Sequence, residues 1–190
     1  MMEEIIQEDK ELFLYLNNLG DTPFDQFWII VSDKWIWIPL YVIFFYFLYK
    51  NFKLKSLLYI LVFAAIGITV SDQVSGIFKY GVARLRPCND PSLQNLMRIV
   101  KCGGPYGFYS AHASNTFFLA TYLGLLLKDK LKWFPYFIVI WAIVVAYSRI
   151  YLGVHFPMDI FAGAFAGIVF GLMFFLLVKK VMSRQTVSEN

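Results

Sequence analysis

Apolar runs of bilayer-crossing character, joined by short lysine-bearing loops, constrain this chain more than any other feature. The runs fall at 35–49, 56–78, 112–127, 133–151 and 157–178. The first is short for a span unless the preceding apolar segment, 24–31, adds to it. This pattern predicts an all-α fold, a multi-span transmembrane helix bundle of about five spans. Only 16% of the residues are charged, against roughly a quarter in soluble domains. With 190 residues the chain is expected to form one domain: an N-terminal segment (1–34), a transmembrane core (35–178) and a short tail (179–190). Residues 1–19 alternate acidic and apolar side chains at helical spacing, with Ile5, Ile6, Leu12, Phe13 and Leu16 as the apolar set. That suits an interfacial helix and does not fit a signal peptide. Trp28, Trp35 and Trp37 fit an aromatic belt at one interface.

The positive residues lie mostly in loops between spans, so the net charge of +4 points to no nucleic acid partner. Lys50, Lys53, Lys55, Lys128, Lys130, Lys132, Lys179, Lys180 and Arg184 fall on one side of a five-span arrangement. That is nine of the 17 basic residues, a weak raw bias. These nine fill every short loop on their side, which is therefore expected to be cytoplasmic, with the C-terminus. The loop 79–111 and the N-terminus then lie outside a bacterial inner or plasma membrane. Cys88 and Cys102 both fall in that loop. In an oxidising compartment they could pair, although spacing alone does not fix pairing.

The stretch "SRIYLGVHFPMD" (148–159) sets Arg149, His155 and Asp159 between two of the most apolar runs. Pro157 can open a helix at its first position, placing Asp159 in the first turn, able to reach back to His155. "KYGVARLRP" (79–87) brings Lys79, Arg84 and Arg86 to the same membrane face. "FYSAHAS" (108–114) adds Ser110 as an N-cap and His112 in the first helical turn. Lys79, Arg86 and Arg149 together make an anion site, since arginine forks fit phosphate oxygens. Two helix N-termini add backbone donors. A histidine with a carboxylate partner is a nucleophile or base held in one tautomer, and a second histidine can serve as acid. The inventory suits phosphoryl transfer.

Other readings are possible for these residues. His155 and Asp159 alone could be a helix-capping pair. Two histidines and an aspartate could bind zinc, but three nearby cations would repel a metal. Asp72 lies inside the second run, where a carboxylate is costly; it is a candidate for function or a partner of Lys79. Small residues within 161–175 suit close helix packing. A transporter would place charges along a path through the bilayer and often shows an internal repeat. Here the charges lie at one face and no repeat is visible.

In combination, Lys79-x6-Arg86-Pro87, Ser110-x-His112 and Ser148-Arg149-x5-His155-x3-Asp159 resemble the three-part signature of the type 2 phosphatidic acid phosphatase family. These membrane lipid phosphatases share a site type with vanadium haloperoxidases. The family's middle motif usually reads Pro-Ser-Gly-His; this chain has Tyr109-Ser110-Ala111-His112. The resemblance implies that His155 attacks phosphorus and forms a phosphohistidine, that Asp159 orients His155, and that His112 protonates the leaving oxygen and then activates water. It implies that Lys79, Arg86 and Arg149, helped by Ser110, hold the phosphoryl oxygens, and that no metal or cofactor is needed. The substrate is expected to be a membrane lipid. Short outer loops favour a compact headgroup on a long chain, so undecaprenyl or another polyprenyl diphosphate is the leading expectation, with Arg84 as a contact for the second phosphate. Phosphatidylglycerol phosphate, phosphatidic acid and lipid A are the alternatives.

Overall fold

The computed structural model describes residues 2–188, and every regular element among them is helical. In chain order the α-helices are α1 (Met2–Asn18), α2 (Asp25–Ser32), α3 (Ile38–Asn51), α4 (Leu54–Val82), α5 (Ala111–Leu127), α6 (Phe134–Tyr151) and α7 (Pro157–Ser188), with short 3-10 turns between some of them. Local sequence sets several boundaries. Proline stands within the first two positions of α3 and α6 and opens α7, where its missing N–H costs nothing. Ala83 ends α4 in the left-handed region, at φ 52°. The Ser110 side chain accepts a hydrogen bond from Ala113 N–H and starts α5.

The expected spans correspond to α3 through α7, but they are not equivalent. Three helices are long and apolar enough to cross a membrane alone: α4, α6 and residues 157–184 of α7. Residues 22–32 and 34–51 pass that test only together, as a pair bent by 63°. Helix α5 has 17 residues, about 26 Å, slightly short of a typical span. It packs against α4, α6 and α7, so protein covers much of its surface.

The α5–α7 pair is the most extensive helix contact. Gly163, Gly167 and Gly171 line up along α7, and a methyl group at Gly163 would stand 2.5 Å from Ser110 O. At Gly167 it would collide with Ser114 O. These glycines let the two backbones approach closely, as small residues do between membrane helices. Below them Phe118 stacks on Tyr122 at 5.6 Å and meets Phe174 edge-on at 5.8 Å. The buried Tyr122 hydroxyl donates to Ile60 O at 2.9 Å, so no polar atom of that ring is stranded.

Helix α1 docks with an unexpected face. Its buried residues are Asp9, Phe13 and Asn17, one every four positions, while Ile5, Ile6 and Leu12 remain exposed. Asn17 Nδ2 donates to the carbonyls of Ile150 and Tyr151 at 3.1 and 3.0 Å, closing the C-terminal end of α6. The connection between α4 and α5 is tied down as well. Arg86 N–H donates to Pro105 O, Gly107 N–H to Arg84 O, and Cys88 N–H to Gly153 O. Cys88 and Cys102 form a disulfide, with Cα atoms 5.7 Å apart.

Candidate active site

His155 lies in the tight connection between α6 and α7, which Gly153 turns with φ 81°. The imidazole is almost fully buried. Its Nδ1 stands 3.4 Å from Asp159 Oδ2. Asp159 is fixed from both sides, because Oδ2 accepts Phe156 N–H at 3.0 Å and Oδ1 accepts Arg84 Nη1–H at 3.0 Å. Nδ1 lies nearest this carboxylate but makes no hydrogen bond with it, so Asp159 acts on the ring through its charge, and Nε2 is the nitrogen left for chemistry. Burial, followed by the charges of Arg149, Arg86 and Lys79, holds the His155 pKa well below its ordinary value. The imidazole is therefore neutral at physiological pH, the state a nucleophile requires.

A cavity of about 890 Å³ opens in front of it, and Lys79, Arg86, His112, Arg149 and His155 all line this one space. They come from α4, the loop after it, α5, α6 and the α6–α7 turn, so five separate parts of the chain converge. Arg86 Nε donates to Tyr106 O at 3.1 Å. Arg149 is buried, bonded through Nη1 to the Ser32 hydroxyl, and its Nε has no protein acceptor. A buried guanidinium with an unpaired donor at a cavity wall is suited to an anionic oxygen. Away from the cations the cavity becomes apolar, bounded by residues such as Tyr41, Phe44, Ile68 and Leu123. Its walls include α3 and α4, which touch each other little. Lys34, Asp72 and Gln73 also line it and are exposed.

Not every expected site residue reaches the cavity. Ser110 is fully buried and its hydroxyl caps α5 at 3.4 Å from Ala113 N. Asp159 sits behind His155. Arg84 is not among the residues that line the cavity with Lys79, Arg86 and Arg149; it donates to Asp159 and, through Nη2, to Asp9 Oδ2 at 2.6 Å. Two carboxylates thus occupy the guanidinium that was expected to contact a second phosphate. Sequence reasoning also missed four contributors. Ser32 holds Arg149. Asn115 lines the cavity with a buried, unpaired Oδ1. Asp9 holds Arg84. At Gly107 a methyl group would come within 3.0 Å of Asp159 Oδ2 and 3.5 Å of His155 Nδ1, so only glycine fits without displacement. Of these, only the glycine carries a sequence signal, as a small residue beside a motif.

A cation-lined pocket with two histidines, at one end of a helical bundle and continuous with an apolar groove, defines a class: an integral membrane phosphatase acting on lipids. The chain belongs to the PAP2 superfamily, whose sequence model matches residues 55–183. It is 38% identical to a lipid A 4'-phosphatase of Bacteroides thetaiotaomicron, over 97% of this chain and 83% of that protein. It is 35% identical to a lipid A 4'-phosphatase of Porphyromonas gingivalis, over 90% and 72%. Its fold is similar to that of a PAP2-type phosphatidylglycerolphosphate phosphatase from Bacillus subtilis, with TM-score 0.67 and 21% identity over 95% of this chain and 87% of that one.

Proposed function

We propose that this protein is a lipid A phosphatase that removes a phosphate monoester from the sugar headgroup through a phosphohistidine at His155. The observation that carries the substrate is near-full-length similarity to two proteins named lipid A 4'-phosphatase. Two structural features support it over a polyprenyl diphosphate. Arg84, the residue that was to hold a second phosphate, is bonded to Asp9 and Asp159. The cavity also includes Lys34, Asp72 and Gln73, whose donors and acceptors suit sugar hydroxyls and amides.

In the proposed reaction Lys79, Arg86 and Arg149 hold the phosphoryl oxygens. His155 Nε2 attacks phosphorus, the P–O bond to the lipid breaks, and His112 gives a proton to the departing oxygen. His112 then takes a proton from water, whose oxygen attacks the phosphohistidine; the P–N bond breaks and phosphate leaves. Asp159 stabilises the imidazolium character that develops on His155. No step uses a metal, so activity should survive EDTA. On this reading the site faces the extracytoplasmic side, which the lysine-filled short loops on the opposite side support.

The test is phosphate release by the purified protein from lipid A, undecaprenyl diphosphate, phosphatidylglycerol phosphate and phosphatidic acid in matched micelles. The highest kcat/KM is expected for lipid A. A higher value for undecaprenyl diphosphate would restore the diphosphate reading and reject this one.

A further inference from the structure

The catalytic signature accounts for His155 and Asp159 but not for what lies behind them. Asp9 is buried, 4% exposed, in a helix whose other carboxylates are exposed. It accepts two hydrogen bonds. Oδ2 takes Arg84 Nη2–H at 2.6 Å, and Oδ1 takes Met158 N–H at 2.9 Å. The second bond concerns the start of α7. The residue before the helix, Phe156, has no side-chain acceptor for the free N–H groups of the first turn. Asp159 serves one of them, bonding Phe156 N–H in the manner of a capping box. Asp9 serves Met158 from another helix. Arg84 completes the ring, bridging Asp9 to Asp159 with its two terminal nitrogens while its guanidinium lies 4.1 Å over the Phe156 ring. Phe13, one turn after Asp9, meets the same ring edge-on at 5.3 Å.

We propose that Asp9 is a positioning residue for phosphoryl transfer: through Arg84 and through Met158 N–H it fixes the Asp159 carboxylate that orients His155. The chain His155–Asp159–Arg84–Asp9 extends the catalytic pair into α1, which lies outside the 55–183 family match. Without the Asp9 charge, Arg84 is balanced by Asp159 alone. The carboxylate is then drawn toward the guanidinium, and the first turn of α7 loses one anchor. The phosphate-holding cations Lys79, Arg86 and Arg149 are untouched, so the effect belongs to turnover and not to substrate binding.

This inference rests on His155 being the nucleophile and not on which lipid is cleaved. Its test compares Asp9→Asn, which is isosteric, Arg84→Lys, which has one nitrogen in place of the two that reach Asp159 and Asp9 separately, the double variant and His155→Ala. Phosphate release is measured from lipid A and from short-chain phosphatidic acid. For each single variant kcat should fall about 10- to 100-fold on either lipid, as expected for a small misplacement of a reacting group, while KM changes less than about threefold. The double variant should lose no more than the worse single one, because both break the same chain. Unchanged kcat in Asp9→Asn or Arg84→Lys, losses that multiply in the double variant, or KM rising as kcat falls would overturn the proposal. If His155→Ala is inactive, such a result removes this inference alone. Turnover by His155→Ala would remove the proposed chemistry together with it.

Discussion

His155 is the side chain whose burial has the clearest measurable consequence. In the unfolded chain a histidine takes up a proton near pH 6.5. In the fold, burial and the nearby Arg149, Arg86 and Lys79 keep His155 neutral well below that. As pH drops below about 6.5 the unfolded state therefore binds more protons than the native state, and stability declines. Melting temperature in detergent should fall between about pH 7 and pH 5 more steeply for wild type than for His155→Asn, which has no imidazole to titrate. Equal slopes would mean that His155 takes up its proton in the fold as it does in the unfolded chain, contradicting its lowered pKa. The same low pKa keeps the proposed nucleophile available in mildly acidic conditions, so loss of kcat/KM near pH 6.5 should not come from His155.

Helix α7 owes its position against α5 to glycine. A methyl group at Gly167 would meet Ser114 O, and also Phe118 N at 2.9 Å, both backbone atoms that cannot rotate away. Gly167→Ala should force the helices apart at a cost of about 1–3 kcal/mol. The start of α5, with His112, would then shift relative to His155, so activity should fall along with melting temperature. Gly76, where an added methyl meets nothing, is the matching control and should tolerate alanine with both values nearly unchanged. The helices themselves were readable in the sequence, because apolar runs and prolines mark them; the expected spans agree with α3 to α7 within a few residues except at the end of α7, which continues as helix to Ser188 through most of the expected tail 179–190. The inward face of α1 was not. Two of its three buried residues, Asp9 and Asn17, are polar, and they are buried because they complete the ends of α7 and α6. Hydrophobic periodicity cannot register such a face, since its partners lie 75 to 149 residues away. Arg84 was misjudged for the same reason: its charge was visible, its two carboxylates were not.

The disulfide-tied loop and the site lie at the same end of the bundle, which turns topology into a question a reagent can answer. The Cys88–Cys102 bridge closes a loop with a sequence separation of 14, beside Arg86 and against the α6–α7 turn. Such a closure is worth about 3 kcal/mol. A membrane-impermeant thiol reagent applied to spheroplasts should label both cysteines only after reduction, placing the active-site loop outside. Labelling that requires lysis as well as reduction would put the site on the cytoplasmic face. Substrate choice was the least readable feature of the sequence, because it depends on a cavity assembled from α3, α4, α5 and α6. The reaction class was readable because each motif carries its own charges.

Everything proposed for the chemistry depends on phosphate passing through one nitrogen atom. Rapid acid-free quenching of the enzyme with lipid A labelled in its phosphate, followed by peptide mass spectrometry, detects that species. A phosphohistidine at His155 is expected in wild type, more of it when His112→Ala slows hydrolysis, and none together with no phosphate release in His155→Ala. Phosphate found on another residue, or release of phosphate by His155→Ala at a rate comparable to wild type, would contradict the mechanism.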